Sequence, residues 1–85
     1  VSTVYVIEKI DDIEGYDDFL GVASTLEQAK ERAMETDPTG FPVRIEVSEW
    51  DIGANRGRLV AIWLRTEMNG PGVWHHSDVL VGRKN

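Results

Sequence analysis

"FPVRIEVSEWDIGANRGRLVAIWLRT", residues 41–66, sets two unlike halves around a turn, and the contrast between them decides the fold. The first half alternates as a half-buried strand does: Val43, Ile45 and Val47 share one side, and Arg44, Glu46, Ser48 and Trp50 share the other. "GANRG" (53–57) follows with turn residues whose glycines suit positive φ, so the halves read as a hairpin. The second half does not alternate in this way. Leu59, Ala61 and Trp63 point one way while Val60, Ile62 and Leu64 point the other, so both sides are apolar, the pattern of a central strand covered on both faces.

Upstream, "STVYVIEKI" (2–10) is a strand rich in β-branched and aromatic residues. Val4, Val6 and Ile10 take one side, and Thr3, Tyr5, Ile7 and Lys9 the other. "DDIEGYDD" (11–18) breaks it, and a second arm over about residues 18–23 closes a first hairpin. "STLEQAKERAMETDPTG" (24–40) predicts a helix. Ser24 or Thr25 can cap it, Ser24 and Glu27 have capping-box spacing, and Asp37-Pro38-Thr39-Gly40 stops it. Its apolar stripe is Leu26, Ala29 and Ala33. Two alanines let a helix lie close to a sheet but bury little area, at roughly 25 cal/mol per Å2. Downstream, "EMNGPG" (67–72) turns the chain into a last strand, "VWHHSDVLVG" (73–82). The expected architecture is α+β: a single domain over residues 1–85, ββαβββ, mostly antiparallel, with one helix packed on one face of the sheet.

At 85 residues such a domain buries roughly 60–65% of its unfolded surface, a thin core. With no cysteine, neither disulfides nor thiolate metal sites support it. The opening "VSTVYVIEKIDD" has no basic leader region and its apolar run is broken at Glu8, and no segment approaches the ~20 apolar residues of a membrane span. A soluble, cytoplasmic domain without membrane contact is expected. The net charge of −6 is uneven. Residues 1–50 hold twelve acids against four bases, a net of −8, and residues 51–85 hold three against five, a net of +2. Direct nucleic-acid binding is disfavoured, because it depends on neutralising phosphates with Lys and Arg.

Candidate chemistry concentrates in "GPGVWHHSD" (70–78). Neighbours on a strand diverge, so Trp74, His76 and Asp78 fall on one side and Val73, His75 and Ser77 on the other. His75 and His76 therefore cannot share a metal without a bulge, and they are the only two histidines. Ser77 lacks both an aligned base and a nucleophile elbow. A small metal-dependent enzyme using His75 or His76 ranks third among the readings; no cofactor or catalytic residue is expected. The run over residues 8–18 fails calcium-loop spacing. It reads first as a solvated hairpin tip. Its alternative reading is an acidic patch of Asp11, Asp12, Glu14, Asp17 and Asp18 that mimics phosphates and blocks a nucleic-acid-handling protein.

The doubly apolar second arm of the central hairpin weighs most. One short helix covers one side of the sheet, which leaves Val60, Ile62 and Leu64 on the other, with Trp50 and Trp74 as candidates to join them. Either the sheet curls and covers this face from within the chain, or a homodimer or protein partner covers it. "VYVIEK" (4–9), "FLGVASTLEQAKERA" (19–33) and "FPVRIEVSEWDI" (41–52) together resemble small uncharacterised bacterial and phage domains. In those a strand, a G-V-x-S turn, an Ala-rich helix and a strand recur in this order. The resemblance covers about residues 4–52. It implies an accessory or interaction module, phage-encoded in some cases, with no activity to carry over. The expected function is a non-enzymatic protein-interaction module that binds itself or a cellular protein through an apolar sheet face.

Overall fold

The computed structural model describes residues 3–11, 16–35, 42–53 and 56–82, with backbone alone at 11, 16 and 79–82. The elements run β1 (Thr3–Asp11), β2 (Tyr16–Ala23), α1 (Leu26–Glu35), β3 (Val43–Asp51), β4 (Arg56–Arg65) and β5 (Val73–Gly82). They form one antiparallel five-stranded sheet in the order β2-β1-β3-β4-β5, with the helix against it. This is the expected α+β domain with the expected ββαβββ order. Because β1 lies between β2 and β3, the chain must cross over β1 between them, and α1 makes that crossing. No helix among the described residues is long and apolar enough to cross a membrane.

The helix begins at a threonine cap. Thr25 Oγ1 accepts the Gln28 backbone N–H at 3.1 Å, the Thr25 carbonyl accepts that of Ala29 at 3.0 Å, and the Ser24 hydroxyl donates to Gln28 Oε1 at 2.9 Å. The cap is thus Thr25, one of the two residues expected, and in place of a Ser24–Glu27 box Ser24 hydrogen-bonds the Gln28 side chain. The proposed stop at 37–40 lies outside the described residues. From this cap the helix lies across β2, β1 and β3. Ala29 and Ala33 are fully buried on Ile7, Ile45 and Val47, with Ala61 and Trp63 completing the cluster and Leu26 packed against it.

Strand β4 departs from simple alternation. Val47 pairs with Ala61, but the next residue, Ser48, pairs with Leu59, so Val60 is an extra residue in a β-bulge. Toward β5 the pairing also shifts here, from Ala61–His76 to Leu59–Val79. The bulge reverses the side taken by Leu59. It leaves Ala61 and Trp63 and joins Ser48 on the helix-free face, contrary to the simple alternation read from the sequence. The two glycines of "GANRG" divide their roles as well. Gly53 has φ of 94°, as a turn glycine should, whereas Gly57 sits inside β4 beneath the indole of Trp50. Gly72, from the turn before β5, is likewise covered by the indole of Trp63, and a Cβ there would overlap the ring.

Two outcomes are expected from these contacts. Gly72→Ala should lower unfolding stability by roughly 1–3 kcal/mol, because the Trp63 ring is wedged in the core and cannot retreat without loosening it. An unchanged denaturation midpoint would show that the ring moves freely. Thr25→Ala should cost about 1 kcal/mol, and Ser24→Ala less than about 0.5 kcal/mol, in the same denaturation assay. The reverse order would return the cap to Ser24.

Candidate docking face

Ladder partners share a side of the sheet, so the register builds the helix-free face row by row. One row runs Phe19, Glu8, Glu46, Ile62 and His75 across all five strands. The next holds Asp17, Ile10, Arg44, Leu64 and Val73. On the other side of the central row lie Val22, Val6, Ser48 and Leu59, and beyond them Val4, Trp50 and Gly57. No described element lies over these rows. Phe19 is 67% exposed, Val22 50% and Val73 52%, while Val6, Ile62 and Leu64 are half-buried by their neighbours in the sheet.

Trp50 closes one end of this face. Its ring lies flat on Gly57, where an added Cβ would come within 2.5 Å of Cδ2, and its Nε1–H donates to Ser48 Oγ at 2.9 Å. The hydrogen bond fixes the ring over the sheet, and Ser48 and Leu59 beside it are buried. Of the expected docking residues, Trp50, Ile62 and Leu64 share the face. Val60 and Trp74 do not. Val60 sits at the bulge and packs against the helix-side core. Trp74 pairs with Trp63 on the helix side, where the Lys30 ammonium stands 5.1 Å from the ring centroid, a cation–π contact that ties α1 to β5.

The two described members of the acidic patch, Asp17 and Asp18, do not share a side. Asp17 pairs with Ile10 and so lies on the helix-free face, whereas Asp18 pairs with Lys9 and lies on the other. Asp12 and Glu14 fall outside the described residues, and Asp11 is described by backbone alone. The charge that matters to this face comes from a pair the sequence reading passed over: Glu8 and Glu46, directly opposite each other on β1 and β3. Both occupy polar positions of alternating strands, which was legible. Their juxtaposition depends on register, which was not. Glu46 has Arg44 beside it, Nε to Oε2 3.1 Å. Glu8 has no ion pair among the described residues. Burial first, then the charges of Asp17 and Glu46, hold its carboxyl above the ordinary Glu range.

On the helix side a polar row crosses the sheet beyond the end of the core. Tyr5 donates to Glu49 Oε2 at 3.0 Å, Arg58 Nη2 donates to Glu49 Oε1 at 3.0 Å, and Arg58 Nη1 donates to Asp78 Oδ1 at 3.2 Å. The hydrogen bond to Glu49 is the main cause that raises the Tyr5 pKa, since it favours the neutral phenol. Asp78 is thereby engaged with Arg58 and not with a histidine. His75 and His76 face opposite sides, paired with Ile62 and Ala61. Among the described residues no group of three His, Asp or Glu side chains could hold a metal ion.

A raised Glu8 pKa means the folded chain holds that proton more tightly than the unfolded chain does. Stability contributed by this group therefore falls as pH rises through the folded value, and the penalty is complete at neutral pH. Glu8→Gln should raise stability at neutral pH by up to about 0.5 kcal/mol, small because the site is only partly buried and water screens it. The difference should shrink as pH falls toward about 4, where an unperturbed Glu also protonates. Denaturant unfolding of both proteins across this range checks it, and a destabilised variant at neutral pH would contradict it. No family model matches this chain, and neither a curated protein nor a solved structure matches it.

Proposed function

We propose that this chain is a non-enzymatic protein-binding module that docks its partner on the helix-free face of the sheet. The observation that carries this reading is the asymmetry of the two faces. A ten-residue helix covers β2, β1 and β3 on one side, while on the other Phe19, Val22 and Val73 stand half or more exposed around Ile62 and Leu64. Five strands of eight to ten residues make a face of roughly 600 Å2 from ordinary strand spacing and rise. That approaches the ~800 Å2 that each partner contributes to a standard interface. Trp50, anchored by its own hydrogen bond, supplies the rigid aromatic that tight interfaces favour.

Ile62→Glu tests the reading because it places a charge at the middle of the face while the buried cluster of Ile7, Ile45 and Val47 lies on the opposite side. The variant is expected to keep its thermal midpoint within about 4–8 °C, a change of about 1 kcal/mol or less. It should lose self-association by light scattering, or lose at least about tenfold in affinity for a bound protein. A wild-type monomer whose recovered proteins are all retained by Ile62→Glu rejects the proposal.

A further inference from the structure

The helix-free face sets carboxylates among apolar side chains, Glu8 and Glu46 beside Ile62 in its central row and Asp17 on the edge strand, and that combination constrains what can cover it. Glu8 stands between Phe19 on β2 and Glu46 on β3, in one row across the sheet. Like charges directly opposite on paired strands repel. Arg44 offsets Glu46, but no described cation offsets Glu8 or Asp17, so among the described residues the face carries three carboxylates against one guanidinium. Covering such a face with purely apolar surface would strip water from an uncompensated carboxylate, which is strongly unfavourable. A second copy fits poorly for a related reason: two faces whose described side chains carry a net −2 would meet across the ~10 Å that separates stacked sheets.

Phe19 is the second observation. It is two-thirds exposed and its backbone pairs with Glu8, so an aromatic ring and an unpaired carboxylate are neighbours on one surface. A guanidinium satisfies both at once, because its edge pairs with a carboxylate while its plane stacks on a ring. Resting on the docking function proposed above, we infer that the occupant of this face is a protein segment that presents an arginine from within an apolar surface. The guanidinium seats on Glu8 and Phe19, and the flanking apolar side chains cover Val6, Ile62 and Leu64. Trp50 on β3 and Val73 on β5 mark opposite ends of the covered face.

The test uses a displayed library of random peptides selected against the full chain, followed by fluorescence anisotropy of the best peptide and its arginine-to-citrulline counterpart. Citrulline keeps the shape and removes the charge. Wild type is expected to enrich peptides with arginine amid apolar residues, and citrulline should weaken binding about tenfold or more. Glu8→Gln should erase that preference, Phe19→Ala should reduce it, and Ile62→Glu should abolish binding of both peptides. Circular dichroism confirms that each variant is folded. Equal binding of the arginine and citrulline peptides overturns the arginine seat and leaves the docking face standing. An Ile62-dependent homodimer overturns the occupant in the same way. Failure to enrich any peptide overturns the inference, and peptides that bind Ile62→Glu as well as wild type overturn the docking face with it.

Discussion

The contact of Ala29 and Ala33 with Ile7, Ile45 and Val47 is the constraint from which the rest of this structure follows. Side chains no larger than methyl let the helix lie close to the sheet, and all five residues are fully buried. The same smallness limits what the helix can cover. It packs on β2, β1 and β3, so the helix side of β4 and β5 is filled by the large rings of Trp63 and Trp74 instead. Lys30 extends the helix toward that half through the Trp74 ring. A thin core has been widened with aromatic area, and the glycine at 72 makes room for it.

Much of this was legible in the chain. Alternation in residues 43–50 and 3–10 put Val4, Val6 and Ile10 opposite Tyr5, Ile7 and Lys9, and Val43, Ile45 and Val47 opposite Arg44, Glu46, Ser48 and Trp50, as the registers have them, and the alanine stripe with its cap located the helix. What escaped had a common cause. The bulge at Val60 leaves no mark in a run where every residue is apolar, since an inserted residue changes the phase of a pattern only when the pattern has contrast. "RLVAIWLR" has none between Leu59 and Leu64. Leu59 and Val60 were therefore misplaced together. Trp74 was misplaced for a different reason: its phase within β5 is correct, but relating that phase to the rest of the sheet requires the β4–β5 register.

Charge followed the same logic. The density of acids in residues 8–18 was obvious, and their grouping into one patch was not a property of density. Strand geometry sends Asp17 and Asp18 to opposite sides, while Glu8 acquires its neighbour from a strand 38 positions away, Glu46. Sequence proximity measures which charges are covalently close, whereas the sheet decides which ones share water.

Among the described residues the outer ladders of β2 and β5 have no partner strand. An unpaired ladder is a template for edge-to-edge aggregation unless something spoils it. On β2 the spoiling is done by paired carboxylates at one end and by an irregularity near Leu20, where Gly21 takes a φ of 144°. On β5 the register shift opposite Val60 interrupts the regular run. Asp17 and Asp18, which point to opposite sides, are well placed for this: whichever side a foreign strand approached from, it would meet a carboxylate. Asp17 and Asp18, divided between the two sides, thus guard this edge of the sheet.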